Sequence, residues 1–517
     1  MINSKSKDLT PFLLIHPPVA KPCEPPAGLA RLSGALRQYK IKHELLDANL
    51  EALLYFINNP KLQTAKPFDK WTARAFRNIL QNYALLKDRK TYQSIDRYKR
   101  AVSDLNRAVE MSVDNGFTYG IADFHHQELS PLRSSDLIRA AENPELNPFY
   151  PYFKERLSGL VQKNNPSAIG FSLNYLSQAL CAFAMAGFLK KEFPALKIVL
   201  GGGLVTSWIK NPNWKNPFGG LMDYIIAGQG EHQLLSILGA KDIKTERFTP
   251  CYDSLPFNDY LSPGLVLPYS ASSGCLWNKC SFCPEKAEAN PYIPTTANQA
   301  AMDLNALIAK TNPVMVHLLD NAVSTALLKK LAGSPLNIPW YGFARISKLL
   351  TDNNFCTALK KSGCVMLKLG LESGDQGVLD QMQKGINLET ASLALKTLKK
   401  AGIASYVYLL FGTPAETLTE ARKTLEFVVN HKDAIDFLNL AIFNMPVCGD
   451  ETGKFKTSSF YEGDLSLYTD FSHPKGWDRR QVRRFLDNEF KKNKAVSGIL
   501  KKDPPVFTSN HAPFFVQ

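Results

Sequence analysis

The sequence predicts an α/β protein of two parts. A doubly wound, Rossmann-like sheet takes residues 1–240, a partial, TIM-like (β/α)6 barrel takes 267–450, and a small helical tail takes 451–517. Three observations lead there. Buried-strand patterns alternate with helical patterns twice along the chain, and that alternation implies parallel strands with right-handed crossovers. The two runs are parted at 241–266, where "FTPCYDSLPFNDYLSPG" is dense in proline and turn formers. The length of 517 residues leaves room for two or three domains.

In the first run, "PFLLIHPP" reads as a buried strand stopped by prolines, and "GLARLSGALRQY" has helical spacing with Leu29, Leu32 and Leu36 on one face. "KHELLDAN" is a second strand, ending in Asp47. A helical insertion follows over about residues 50–150. Its polar stretch 50–115 has Trp71, Phe76, Leu80, Tyr83 and Leu86 as its apolar side. Strands resume at "SAIGFSLNY", ending in Ser172, then "KIVLGGGLV", then "DYIIAGQGEHQLLSIL" as strand, glycine turn and helix. Ligands of such sheets bind at the strands' carboxyl ends. Those ends carry Pro17, Pro18, Asp47, Ser172, Gly201, Gly202, Gly203, Gly228, Gly230 and Glu231.

The second run places strands at 267–273, 314–319, 339–344, 365–371, 404–411 and 436–443. In a barrel of this kind the chemistry sits at the strand C-termini. The tail contains "GWDRRQVRRFLDNEFKKNKA", which reads as helical.

Composition excludes several classes. The first apolar run is too short and too rich in proline to span a membrane, and it lacks the pattern of a signal peptide. The expectation is a cytoplasmic protein. Nine cysteines in so long a chain do not make a disulfide scaffold. The net charge is +14, and residues 66–110 hold eleven Lys/Arg against five Asp/Glu. That stretch reads as a solvated helix surface. A nucleic-acid partner is not expected, because no RNA-binding module accompanies it. A full Gly-x-Gly-x-x-Gly after the first strand is absent, so nicotinamide chemistry is not expected either.

The most informative stretch is "ASSGCLWNKCSFCPEKA", residues 271–287. Cys275, Cys280 and Cys283 stand in one loop after the first barrel strand, spaced by four residues and then two. Thiolates hold iron–sulfur cubanes, which normally use four; three would leave one iron open to a small molecule. Zinc is the alternative, yet no second Cys-x-x-Cys or paired histidine follows. His317 reads as a barrel-strand residue, while Cys356 and Cys364 read as packing. Cys448, in "NMPVCGD", reads as a small residue at a turn, with a catalytic thiol as the alternative.

This loop resembles that of radical S-adenosylmethionine enzymes, with the aromatic Phe282 just before the third cysteine. Their commonest spacing is three then two, so one residue is extra here; a similar form occurs among cobalamin-linked members. "HLLDNAVS", "WYGFARI", "KLGLESGDQGVLDQMQKG" and "YLLFGTPAET" resemble later strands of that barrel. The resemblance implies a [4Fe-4S] cluster on the three cysteines. It implies S-adenosylmethionine near Phe282, Asp320, Arg345, Glu372, Ser373 and Gly412, with Pro414 in a turn by the adenine. On residue chemistry alone, Glu372 reads as a ligand acceptor or a helix cap, and Arg345 equally as a carboxylate partner or a surface ion pair.

The first domain resembles the cobalamin-binding domain of such enzymes, in "HPP", "LLDAN", "GFSLNYLSQ", "VLGGGLV" and "DYIIAGQGE". The Asp-x-His-x-x-Gly motif that offers histidine to cobalt is missing, so the resemblance implies cobalamin without a protein histidine ligand. A domain that keeps the fold without the cofactor is the alternative.

The resemblance as a whole implies a class B enzyme. It would methylate an unactivated carbon through a 5′-deoxyadenosyl radical and methylcobalamin, on a small-molecule or peptide substrate. A flavodoxin or ferredoxin would donate electrons. Alternatives are a cobalamin-using cyclase or rearrangement enzyme, a tRNA-modifying radical enzyme, and an iron–sulfur electron carrier. The tRNA reading wants three more N-terminal cysteines, where this chain has Cys23 and Cys181.

Overall fold

The computed structural model describes residues 11–59, 69–113, 116–243, 247–460 and 463–516. It divides into two compact units. The first comprises Met1–Asp88, Asp96–Ser262 and Glu462–Ser466; the second comprises Arg89–Ile95, Pro263–Tyr461 and Leu467–Gln517.

In the first unit, β1 (Phe12–His16), β2 (His43–Asp47), β5 (Ala168–Ser172), β6 (Lys197–Gly201) and β7 (Tyr224–Ile225) form one parallel sheet in the order β2-β1-β5-β6-β7. The expected doubly wound sheet is present, and its winding reverses between β1 and β5. β1 and β5 are buried along their whole length, as continuous apolar runs covered on both faces should be. Helix Ala27–Gln38 buries Leu29 and Leu36 as its spacing requires, while Leu32 is only partly buried.

The insertion is more broken than its periodicity suggests. Helices Lys70–Arg77, Ile79–Leu85 and Ile95–Glu110 replace one long helix, and a hairpin follows, β3 (Phe117–Gly120) with β4 (Asp123–His126). Residues 60–68 and 114–115 of the expected stretch lie outside the described residues. Phe76 and Leu86 are buried, but Trp71 and Leu80 are not. Trp71 instead spends its indole N–H on Asp104, 2.8 Å away, under the Arg107 guanidinium. Amphipathic spacing names a face, and a polar partner there turned that face outward. Residues 248–262 pack on this unit: the Cys251 N–H donates to the Ala30 carbonyl, and the Tyr260 hydroxyl donates to Asp47.

In the second unit, β8 (Val266–Tyr269), β11 (Met315–Leu318), β12 (Trp340–Ala344), β13 (Cys364–Glu372), β14 (Ala404–Phe411) and β15 (Phe437–Ile442) are parallel and follow one another in order. That is the expected partial barrel. The first strand is shorter than 267–273. It stops at Tyr269, and Ser272–Ser273 form a separate strand β9, antiparallel to β10 (Ile293–Pro294). The chain leaves the barrel there to build the cysteine loop.

Near their amino ends the strands are closed by the chain's last residues. Ala512 and Val516 pack with Val266, Met315, Val365 and Ala404, and the Tyr406 hydroxyl donates to the Thr508 carbonyl. The tail is helical over Arg479–Phe485 and Lys494–Leu500, as its sequence suggests. Its plugging role had no signal in periodicity. A three-stranded sheet of β16 (Met445–Pro446), β17 (Thr457–Ser459) and β18 (Tyr468–Phe471) precedes those helices.

Candidate functional site

The cysteine loop hangs between β9 and the short helix Pro284–Ala287. Its start is pinned by Asp320, just after β11. That buried carboxylate accepts from the Ala271 N–H at 3.1 Å and from the Ser272 hydroxyl at 2.5 Å. Asp320 thus faces the base of the loop. Gly274, beside Cys275, has φ +69, and a Cβ there would lie 2.3 Å from the Pro291 carbonyl oxygen, so only glycine fits.

The far side of the loop is gripped by the turn after helix Gln376–Gln381, which follows β13. The Trp277 indole N–H donates to the Gln383 carbonyl at 2.9 Å, and the Ser281 N–H donates to the Met382 carbonyl. Arg345, just past β12, lays its guanidinium 3.8 Å from the centre of the Trp277 ring. It donates to the carbonyls of Lys384 and Gly385. It is partly buried and, among the described residues, makes no salt bridge; it stands between the loop and the turn, and its charge is felt by Cys280.

Lys384 is buried and forms a 2.7 Å ion pair with Glu372. Glu372 ends β13 at φ +70, a conformation rare for a residue with a Cβ, and the strand register shifts there. It does not cap the next helix; Asp375 does, by accepting from the Val378 N–H. Gly370 lies under this pair, where a Cβ would meet Glu372 Oε1 at 2.5 Å. Ser373 is fully buried, and its hydroxyl accepts from the Asp375 N–H while touching the Thr424 hydroxyl. Phe282 packs among Val378, Leu379, Met382 and Ala415.

Cys280 and Cys283 feel the charge of neighbouring thiols, and Cys280 also that of two cations. Burial raises the Cys280 thiol, and Lys384 and Arg345 pull it back. Burial pushes Cys283 up to about 11, opposed by the backbone N–H groups of Glu285 and Lys286. Among the described residues no three His, Cys, Asp or Glu side chains converge on one ion. A cubane makes no such demand, because each thiolate takes its own iron. Three thiols beside a lysine and an arginine therefore fit an anionic thiolate-bound cluster.

The other expected positions fall as follows. Gly412 follows β14 at φ +79 and, with Asn444, His473, Trp477, Asp478 and Arg479, lines a cavity of about 260 Å³. His317 is a buried strand residue 3.2 Å from the Lys368 ammonium. Cys356 and Cys364 are buried. The turn holding Cys448 abuts the loop: a Cβ on Gly449 would lie 3.6 Å from Ala287, and Tyr468 senses both Cys283 and Cys448.

In the first unit, Pro17, Pro18, Asp47, Ser172, Gly201, Gly202, Gly203, Gly228, Gly230 and Glu231 all follow or end strands on the sheet's carboxyl side. Several are engaged within the protein. Asp47 caps helix Ala48–Ile57 and accepts from Tyr260, and Glu231 pairs with Arg31 at 2.6 Å. The Ser172 hydroxyl accepts from Asn174, and the N–H groups of Gly203 and Gly228 are held by Asn174 and Thr206. Gly202 has φ +114 and leaves 2.3 Å between its would-be Cβ and the Leu173 carbonyl oxygen. Lys384 and Gly385 join the site without being named by the sequence pattern; the signal for them is proximity to Glu372 in one glycine-bounded segment.

A three-cysteine loop at the carboxyl side of a six-stranded parallel barrel defines the class of this part of the chain: the barrel is a radical S-adenosylmethionine domain. Residues 269–428 match the model of the Radical SAM superfamily. The chain is 23% identical over 325 residues to an uncharacterized methyltransferase of Pyrococcus horikoshii, covering 55% of this chain and 68% of that one. It is 26% identical over 192 residues to the anaerobic magnesium-protoporphyrin IX monomethyl ester cyclase of Rubrivivax gelatinosus, covering 34% of each. The fold is that of the cobalamin-dependent S-adenosylmethionine radical enzyme OxsB, at TM-score 0.53 and 14% identity over 84% of this chain. The chain spans 53% of the OxsB chain's length. Among the described residues no helix is long and apolar enough to cross a membrane.

Proposed function

We propose that the chain is a cobalamin-dependent radical S-adenosylmethionine methyltransferase acting on an unactivated carbon of a small-molecule or peptide substrate. In this reading residues 1–240 form the cobalamin domain, 267–450 the radical barrel, and a cytoplasmic flavodoxin or ferredoxin supplies electrons. The observation that carries it is the cysteine trio, held in one loop beside Lys384 and Arg345 on a barrel of this superfamily. When bound, the [4Fe-4S] cluster delivers one electron to S-adenosylmethionine, and cobalamin carries the methyl group.

The chain's residues bind and orient. Cys275, Cys280 and Cys283 hold three corners of the cluster. Arg345 and Asp320 fix the loop from opposite sides. Glu372, released from Lys384 or shared with it, accepts from the ammonium or ribose hydroxyls of S-adenosylmethionine. In the first unit, Gly201, Gly202 and Gly203 keep side chains out of the strand ends, where a macrocycle needs room. His16 is buried beside Asp47 and Gln178, and burial lowers its pKa. Because the Asp-x-His-x-x-Gly motif is missing, cobalamin is expected without a protein histidine on cobalt. The cobalamin-bound OxsB structure supports the choice of cofactor.

Anaerobic purification with iron, corrinoid and absorption measurements tests the reading, followed by assay for 5′-deoxyadenosine with dithionite. A protein with full iron that binds no corrinoid removes cobalamin; one that never cleaves S-adenosylmethionine is an electron carrier. The likeness to the Rubrivivax cyclase favours ring closure as a second reading. Methyl-labelled S-adenosylmethionine separates the two, because only methyl transfer puts the label in the product.

A further inference from the structure

The turn Gly412–Glu416 lies within the superfamily match, but what shapes it comes from beyond residue 428. His473 Nε2 donates to the Thr413 carbonyl at 2.8 Å. The Lys475 ammonium donates to the Ala415 carbonyl. The Trp477 indole N–H donates to Glu416 Oε2 at 3.1 Å, and the same oxygen accepts from the Gly412 N–H at 2.5 Å. Three alternate residues of one segment thus hold successive acceptors of one turn.

The imidazole fixes its own tautomer. Its Nδ1 accepts from the backbone N–H groups of Lys475 and Trp477, both at 3.2 Å, so the proton sits on Nε2, where the turn needs a donor. A second proton would set Nδ1 against two donors; burial and Lys475 lower the pKa, while the bond to the Thr413 carbonyl and the charge of Asp478 oppose them. The turn is also under-satisfied. Thr413 Oγ1 and Glu416 Oε1 are buried without a hydrogen-bond partner, and both residues are fully buried. Unpartnered polar atoms leave a turn dependent on outside contacts for its shape.

We propose that the segment His473–Trp477 is a strap that sets the shape of the Gly412–Glu416 turn and thereby the barrel's affinity for S-adenosylmethionine. His473 and Trp477 are positioning residues. They touch the turn, and the turn touches the adenosyl group; this last step rests on the function proposed above.

The test uses the full chain with its cluster reconstituted, and the variants Trp477→Phe and His473→Ala. Trp477→Phe keeps an aromatic ring against Phe485 and removes only the indole donor. Two quantities are read: amide hydrogen exchange of residues 410–417, and the dissociation constant for S-adenosylmethionine. Each variant is expected to speed exchange in that segment and to weaken binding about five- to fiftyfold, the worth of one lost hydrogen bond to a buried acceptor. Iron content and cluster spectrum should stay as in the wild type. Faster exchange with unchanged affinity overturns the proposal, as does unchanged exchange. If the wild-type protein with full iron binds no S-adenosylmethionine, the functional reading itself fails, and this proposal falls with it.

Discussion

The Arg345 guanidinium is stacked on the Trp277 ring, 3.8 Å from its centre, while its N–H groups donate to the Lys384 and Gly385 carbonyls. One side chain therefore joins the cysteine loop to the turn after helix Gln376–Gln381. Removing it frees the ring and leaves two carbonyls short of a donor. A cation–π contact and a charged hydrogen bond are each worth about 1–2 kcal/mol when partly buried. Arg345→Gln is expected to lower the thermal midpoint by a few degrees and to cut iron retention after gel filtration by half or more. Iron per chain and the unfolding midpoint check it.

Gly385 stands under the same ring. It has φ +63, and a Cβ would lie 2.2 Å from a Trp277 ring atom. Gly402 has a similar φ of +75, but its nearest would-be neighbour is the flexible end of Lys360 at 3.7 Å. Gly385→Ala carries both conformational strain and collision; Gly402→Ala carries strain alone, about 1–2 kcal/mol. Gly385→Ala should therefore destabilise the protein at least twice as much, read from paired thermal melts. Equal shifts would mean that Trp277 moves aside freely.

The Lys384–Glu372 pair is almost shielded from water, with side-chain exposures of 11% and 13%. Breaking such a pair leaves one charge buried alone and costs about 3–5 kcal/mol, whereas replacing both partners costs far less. Lys384→Met should lower the melting midpoint strongly, and Lys384→Met with Glu372→Gln should recover most of the loss. The melts are run without S-adenosylmethionine, so the result reports the pair and not the ligand.

Much of this architecture was readable in advance, for physical reasons. β1 and β5 are continuous apolar runs, and buried parallel strands need no partner to reveal them. The cysteine trio is local, so its spacing alone located the loop. What stayed hidden is long-range. Nothing near Arg345 in sequence announces that its charge rests on Trp277, 68 positions earlier. Ser373 and Asp320 stood in the right strand-end positions, yet both are turned toward the protein's own hydroxyls and N–H groups. Trp71 and Leu80 have the right period for a buried face and are exposed; for Trp71, Asp104 and Arg107 offer the indole polar and cationic partners. The plug of Ala512 and Val516 is a packing outcome between segments hundreds of residues apart.

Glu416 gives a prediction with a definite sign. Its carboxyl is buried, and burial raises its pKa from 4.5 to about 7, with Glu420 and Asp375 adding to the rise and the Gly412 and Trp477 donors opposing it. The folded protein therefore keeps this proton up to about pH 7, while the unfolded chain gives it up near 4.5. Between those values the folded state binds the extra proton, so this group's contribution to stability declines as pH rises, and is level above about 7. The full change is about 3 kcal/mol. Glu416→Gln removes the titration and keeps an acceptor for Gly412 and Trp477. Relative to wild type, the variant should gain stability steadily from pH 4.5 to about 7 and then hold a constant difference. Melting midpoints of both proteins across that range check it. A difference that does not change with pH would mean that the carboxyl is hydrated in the folded protein.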